Sequence, residues 1–131
     1  MKVILATDDG KTLNGHFALS RTFLFYDITG EGSKLLREVD FIEDGAEEIT
    51  ARYAQKKPFR LDERIDAIKG FDLIFVSAIG GPIVDRVMET GVYPMEVNAP
   101  EPIDHILLKL RELLTGNQPK WIKRILEKKE T

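Results

Sequence analysis

The chain contains no cysteine, and this absence removes several kinds of chemistry at once. Without thiolates it forms no disulfide, no cysteine-based zinc site, no cysteine nucleophile and no iron–sulfur cluster held by its own sulfur. Histidine is nearly as scarce, because only His16 and His105 occur in the chain. A transition metal would therefore depend on one of these two imidazoles or on oxygen ligands.

Strong charge and long apolar runs are also missing. The formal net charge of −3 is too mild to indicate a nucleic-acid or membrane partner. The first apolar run, Val3–Thr7, is too short for a secretion signal or a membrane span. With 131 residues, 43% of them hydrophobic, we expect one soluble, cytoplasmic domain over residues 1–131, ending in a basic helix over 117–131.

Hydrophobic periodicity predicts an α/β fold. Five apolar runs favour strands, at Val3–Thr7, Phe23–Ile28, Leu35–Ile42, Phe71–Ser77 and Val92–Val97. Helical spacing follows Asp44 and recurs between Leu61 and Ile68, after Pro82, after Pro102 and near Trp121. The order β-β-β-α-β-α-β-α predicts a mixed five-stranded sheet flanked by helices, with an antiparallel hairpin between the second and third strands.

The loop after the first strand is one candidate ligand site. It carries the Gly15-His16-Phe17 triplet, and the polar residues that flank His16 are Asp9, Asn14, Ser20 and Arg21. An imidazole among carboxylates, amides and a cation suits a metal or a metal cluster. A long connection whose histidine only bonds the backbone is the other interpretation, and these residues leave both open.

A second candidate is the junction Ser77-Ala78-Ile79-Gly80-Gly81-Pro82 between a strand and a helix. Free amides and the helix dipole favour an anion there, and glycines allow a ligand to approach the backbone. Ser77, Gly80 and Gly81 are the residues we assign to this site. A tight turn that needs glycine only for its dihedral angles explains the same pattern.

Carboxylates raise a different possibility, a metal-dependent phosphoryl-transfer enzyme using Asp8 and Asp9. Asp72 begins its strand, so it lies at the opposite end from Asp8 if the two strands run parallel. Asp85 falls on the solvated face of a helix, and His105 is expected to do the same. Geometry therefore disfavours this alternative.

The C-terminal segment offers a third possibility, a metal-free interaction module. Its basic residues are Lys120, Lys123, Arg124, Lys128 and Lys129, with Glu127 and Glu130 among them. A solvated helix face accounts for this pattern, and docking to an acidic partner is the alternative.

The order of motifs resembles the dinitrogenase iron–molybdenum cofactor biosynthesis family, most of all its NifX-like branch. The first half carries Asp8-Asp9-Gly10, Gly15-His16-Phe17 and Ser20-Arg21-Thr22-Phe23 with Tyr26. The second half carries Ala78-Ile79-Gly80-Gly81-Pro82, Gly91-Val92-Tyr93-Pro94 and Gly116-Asn117-Gln118-Pro119-Lys120-Trp121-Ile122. The resemblance covers nearly the whole chain.

This resemblance implies a ribonuclease-H-like fold without enzymatic activity. It implies a carrier that binds an iron–sulfur or iron–molybdenum cofactor precursor as transient cargo, with His16 as the favoured contact. The partner implied is a cofactor scaffold or an acceptor metalloprotein. Two departures are Ala18, where members often have glycine, and the lack of a cysteine near the fourth strand, where this chain has Phe71, Asp72 and Ser77. Cargo would therefore be held loosely.

Overall fold

The computed structural model describes residues 1–41, 60–98 and 100–130, whose strands and helices are arranged around one central sheet. The strands are β1 (Lys2–Thr7), β2 (Thr12–Leu13), β3 (Thr22–Thr29), β4 (Gly32–Asp40), β5 (Leu73–Val76), β6 (Tyr93–Glu96) and β7 (Glu101–Pro102). The helices are α1 (Leu61–Ile68), α2 (Gly81–Glu89), α3 (Ile103–Thr115) and α4 (Lys120–Glu130).

The central sheet has five strands in the order β4-β3-β1-β5-β6. β3 pairs antiparallel with both β4 and β1, and the predicted hairpin is confirmed. β1, β5 and β6 run parallel to one another, with Val3 opposite Leu73 and Leu73 opposite Tyr93. We call the edge where these three strands finish the carboxyl end of the sheet, and the edge where they start the amino end.

Both faces of the sheet are covered, which explains why its central strands are apolar throughout. Because successive side chains of a strand point to opposite faces, β1 sends Val3 and Leu5 to one core and Ile4 and Ala6 to the other. The first core packs against α3, through residues Ile103, Ile106, Leu107 and Leu110. The second packs against α1 and α2, through residues Ile65, Ile68 and Val87.

Within residues 1–41, 60–98 and 100–130, two short strands occur that were not predicted. β2 and β7 form a separate antiparallel pair, in which Thr12 lies opposite Pro102. Two residues are too few for an alternating pattern, so the sequence does not predict these strands. The pair ties the first loop to the start of α3, where the Ile103 amide donates to the Lys11 carbonyl at 3.0 Å.

The remaining predicted elements are present with small changes in their bounds. The helix predicted after Asp44 lies outside the described residues. Asp85 and His105 are exposed on their helices, as predicted. Among the helices of the described residues, none is long and apolar enough to cross a membrane.

Candidate functional site

The Gly15-His16-Phe17 segment lies across the carboxyl end of the sheet. The Gly15 amide donates to the Ala6 carbonyl at 3.1 Å, and the Gly15 carbonyl accepts from the Ser77 amide at 2.9 Å. The Phe17 amide then donates to the Ala78 carbonyl at 3.0 Å. The segment is thus bonded to the ends of both β1 and β5, and the backbone of His16 is held by the sheet.

Each residue of the triplet occupies its position for a different structural reason. A side chain at Gly15 would place its Cβ 2.6 Å from Ser20 Cβ and 2.8 Å from the Ala6 backbone carbon, so only glycine fits. Phe17 is fully buried and stacks in a tilted arrangement on Phe23, with ring centroids 5.5 Å apart. His16 lies between Gly15, where no side chain fits, and the buried Phe17 ring, and His16 itself is only half-buried.

A groove of about 500 Å³ opens beside the imidazole. Three elements line it: the first loop, the end of β5 and the segment after β6. Its lining residues are Asn14, His16, Ser77, Val97, Asn98 and Pro100. Because the carboxyl ends of parallel strands meet at one edge, residues distant in sequence converge there. The structure thus brings together His16 and Asn14 of the first candidate loop and Ser77 of the second.

The imidazole of His16 favours its neutral form. Partial burial lowers its pKa from 6.5, while the carboxylates of Asp8 and Glu96 act in the opposite direction without cancelling that effect. A neutral imidazole is the form that ligates metals, since protonation occupies its lone pair.

Ser77 also lines this groove. Its hydroxyl oxygen is buried and has no hydrogen-bond partner among the described residues. A buried hydroxyl left in this state costs about 1–3 kcal/mol. Asn14 is already engaged, because its Oδ1 accepts the Asp8 amide at 2.8 Å.

The two adjacent carboxylates of the first loop shape the loop itself. Asp9 Oδ1 accepts the amides of Lys11 and Thr12 at 2.9 and 2.8 Å. Burial alone would raise the pKa of Asp9, but these backbone bonds and those from the Thr12 and Thr7 hydroxyls outweigh it and lower the pKa to about 2. Asp8 Oδ1 accepts the Arg21 amide at 2.7 Å. Neither aspartate lines the groove.

The other predicted site residues lie outside the groove lining. Ser20 is fully buried beneath the loop, and Arg21 is exposed with its amide bonded to Asp8. Gly80 and Gly81 are exposed at the start of α2, where the amides of Ile83 and Val84 already donate to the Gly80 carbonyl. These two glycines adjoin the site along the chain without forming its wall.

Arg64 on α1 is a site-building residue that sequence reasoning missed. It is fully buried, and its guanidinium donates to the Phe17 carbonyl at 3.0 Å, the Ser20 hydroxyl at 3.0 Å and the Ser20 carbonyl at 2.6 Å. The Ser20 amide in turn donates to the His16 carbonyl at 2.9 Å. Arg64 therefore fixes the far side of the His16 loop from inside the core.

A sequence signal for Arg64 was available. It lies at i+3 from Leu61, on the buried stripe that continues with Ile65 and Ile68. A cation on the apolar face of an amphipathic helix needs buried hydrogen-bond acceptors, and here backbone carbonyls provide them. The Phe41 ring adds a cation–π contact, with its centroid 4.3 Å from the guanidinium carbon.

Carboxylates and histidines do not converge on a metal-ion site within the residues the structure describes. No group of three or more such side chains there has the spacing to hold a metal ion. The two-metal chemistry considered for Asp8 and Asp9 finds no support in this part of the chain, since it needs several converging carboxylates. Asp72 immediately precedes β5 and lies at the amino end, as parallel β1 and β5 require.

Sequence comparison adds an independent observation to this geometry. Residues 1–113 match the family described as dinitrogenase iron–molybdenum cofactor. The chain belongs to this family. Its resemblance to the NifX-like branch is confirmed by curated relatives named Protein NifX. The relative from Sinorhizobium fredii is 29% identical over 96% of this chain and 78% of its own length.

Other family members show how far the likeness extends. Protein NifX of Herbaspirillum seropedicae is 30% identical over 98% of this chain and 83% of its own length, so that match reaches into α4. Protein NifY of Azotobacter vinelandii is 27% identical over 96% of this chain, which spans only 48% of that protein. The family match itself ends at residue 113, before α4.

Solved structures support the fold. The crystal structure of PH0822 superposes with a TM-score of 0.62 at 20% identity, covering 92% of this chain and 99% of that one. A Methanocaldococcus jannaschii protein gives a TM-score of 0.51 at 13% identity, covering 91% of this chain and 97% of that one. At these identities the likeness concerns the α/β fold alone.

Proposed function

We propose that this protein is a non-enzymatic carrier of an iron–sulfur or iron–molybdenum cofactor precursor. The precursor is cargo, held in the groove beside His16 and passed to a cofactor scaffold or an acceptor metalloprotein in the cytoplasm. Membership of the dinitrogenase iron–molybdenum cofactor family and relatives named NifX and NifY support a role in handling this cofactor.

The proposal rests on the environment of His16 in its groove. Its imidazole has a lowered pKa and lies against about 500 Å³ of open space, and the backbone on either side of it is bonded to the ends of two strands. A soft cluster iron accepts such a neutral nitrogen. Asn14 and Ser77 line the groove beside the imidazole.

Weak retention is consistent with delivery. The chain has no thiolate, so the cargo would have one imidazole ligand and a few polar contacts. Fewer protein ligands mean faster dissociation, which lets an acceptor with its own cysteines or histidines take the cluster. The Asp8 and Glu96 carboxylates near His16 would further disfavour a strongly anionic cluster from binding tightly.

The family's ribonuclease-H-like fold is part of this proposal. The sheet order β4-β3-β1-β5-β6, with only β3 antiparallel to its two neighbours, supports it. In such folds the chemistry of nuclease members needs several carboxylates for metal ions. Here Asp8 and Asp9 are instead engaged by amides of their own loop, so we favour carriage over catalysis.

The proposal is tested by anaerobic titration of the protein with purified cluster precursor, followed by visible absorption and by iron retained after gel filtration. His16→Ala should lose most of the binding. His105→Ala is the matched control, because it removes the other histidine, which is exposed on α3, and it should bind like the wild type. Equal binding by both variants would overturn the site assignment.

A further inference from the structure

A second groove lies at the amino end of the sheet, away from His16. It has a volume of about 470 Å³ and lies between α4, the end of α2 and the starts of β5 and β6. Its apolar walls are Phe71, Met88, Tyr93, Trp121 and Ile125. The size and the aromatic lining are typical of a site that buries one or two apolar side chains.

The apolar surface extends beyond the groove onto its rim. Met88 and Tyr93 remain 50% and 48% exposed although both are large and apolar. Exposed apolar side chains around a concave centre mark an interaction surface more often than a small-ligand site. The occupant should therefore be a chain segment that covers the rim and places a side chain in the centre.

Positive charge borders this groove. Arg124 lines it, and the Lys2 ammonium lies 5.8 Å from the centroid of the Phe71 ring. Lys120 and Lys123 are exposed on the same helix as Arg124. One carboxylate, that of Asp72, also lines the groove, but its Oδ2 accepts the Lys2 amide at 2.7 Å. The border thus favours an acidic partner.

The helix that forms this groove lies outside the region common to the family. The family match ends at residue 113, whereas the match to the Herbaspirillum relative reaches into α4. α4 therefore lies beyond the family match, and it covers the amino end with Trp121 and Arg124. The match to Protein NifY of Azotobacter vinelandii covers 96% of this chain and also reaches α4. A helix outside the family match suits recognition of a partner that is not common to the whole family.

We propose that this groove docks an acidic segment of a partner protein that carries one or two apolar anchor side chains. The anchor is buried between Tyr93, Met88 and Trp121, and the carboxylates of the segment lie along Arg124 and the exposed lysines of α4. A second copy of this chain is a poorer occupant, because the positively charged border of one groove would then face that of the other. The site is separate from the cargo groove and does not depend on the proposed function.

Trp121 makes the proposal directly measurable, because it is the single tryptophan of the chain. The probe is an acetylated, amidated peptide of twelve residues, with a central Leu-Phe pair between aspartates and glutamates. Titration should change the Trp121 fluorescence saturably, with a Kd below about 1 mM. Arg124→Glu should weaken binding about tenfold or more, and Met88→Ser severalfold.

Two control variants and two control ligands make the experiment decisive. Lys34→Glu reverses an exposed charge on β4 and should leave the Kd unchanged, as should His16→Ala. Both groove variants alter exposed side chains, so they should fold normally. The proposal is overturned if no saturation occurs, if a peptide with Ala-Ala at its centre binds equally, if phenylacetate alone competes fully, or if Arg124→Glu abolishes a self-association of the chain.

Discussion

The two ends of the sheet are built by different kinds of interaction. At the carboxyl end, backbone bonds join Gly15 and Phe17 to two strands, and Arg64 bonds the loop from the core. At the amino end, the groove is built from the side chains of α4 and the strand starts, with Trp121 as one wall. The first end is polar and fixed, whereas the second is apolar and depends on one terminal helix.

This difference matches the different demands of a small cluster and a protein segment. A cluster with few ligands needs an imidazole that is already oriented, because no other protein ligand corrects its position. A protein segment brings its own apolar area and tolerates adjustment of side chains at the contact. Substitutions at the carboxyl end should therefore act on the fold and on cargo, and those at the amino end on association.

The largest effect is expected from Arg64→Met. The variant leaves the Phe17 carbonyl and both Ser20 oxygens without their buried donor, so the free energy of unfolding should fall by about 3–5 kcal/mol. Urea denaturation measures this change. The matched control is Arg86→Met, which removes an exposed ion pair with Asp62 and should cost under about 1 kcal/mol. Equal costs would contradict the role given to Arg64.

A smaller loss of stability is expected from Gly15→Ala. The new methyl group would meet the backbone of Ala6 and Thr7 at 2.8 Å, so the loop must shift at a cost of about 1–3 kcal/mol. Gly32→Ala is the control, since nothing lies within 4 Å of its Cβ position. Thermal unfolding of both variants checks the prediction, which fails if Gly15→Ala melts no lower than Gly32→Ala.

Ser77→Cys should increase the affinity of the carboxyl end of the sheet for the cluster. The new sulfur would line the groove beside His16 and could ligate cluster iron as a thiolate. We expect cluster affinity to rise about tenfold, which corresponds to about 1.4 kcal/mol. Ser33→Cys places a thiol on exposed β4 and controls for nonspecific capture. If both cysteines raise affinity equally, Ser77 does not face the cargo.

The smallest effect concerns the charge of His16. Its pKa in the folded protein lies below the unfolded value of 6.5, so the unfolded state binds more protons and the histidine's contribution to stability falls as pH drops below 6.5. Cargo binding should persist below pH 6.5 and weaken once the imidazole is protonated. Because the Glu96 and Asp8 carboxylates raise this pKa, Glu96→Gln and Asp8→Asn should lower it further.

Proton NMR of the His16 imidazole checks this prediction. The His16 resonance should titrate below pH 6.5, and at a still lower pH in Glu96→Gln. A His16 pKa at or above 6.5 would contradict the neutral ligand state at the centre of the proposal.

Most of the central sheet followed from the sequence. Strands buried on both faces, such as β1 and β5, are continuous apolar runs, and the short link between β3 and β4 required a hairpin. The two-residue strands β2 and β7 were not predictable, because their pairing depends on residues about ninety positions apart and leaves no periodic pattern.

The candidate site was predictable in part. His16, Asn14 and Ser77 converge because parallel strands finish at one edge, which follows from topology. The burial of Arg64 was predictable from its place on the apolar stripe of α1, but its acceptors include backbone carbonyls, which have no sequence signature. Asp9 and Ser20 were expected to flank the ligand. Instead, Asp9 accepts hydrogen bonds from its own loop, and the Ser20 hydroxyl accepts one from Arg64. Residue type alone does not distinguish a ligand contact from a structural hydrogen bond.

The central claim is that His16 holds transient cargo at the carboxyl end of the sheet. Its most direct test is anaerobic titration of cluster precursor into wild-type protein, His16→Ala and His105→Ala, with bound iron measured after gel filtration. The account predicts that wild type and His105→Ala retain iron while His16→Ala loses most of it. Retention of equal iron by all three proteins would contradict the account.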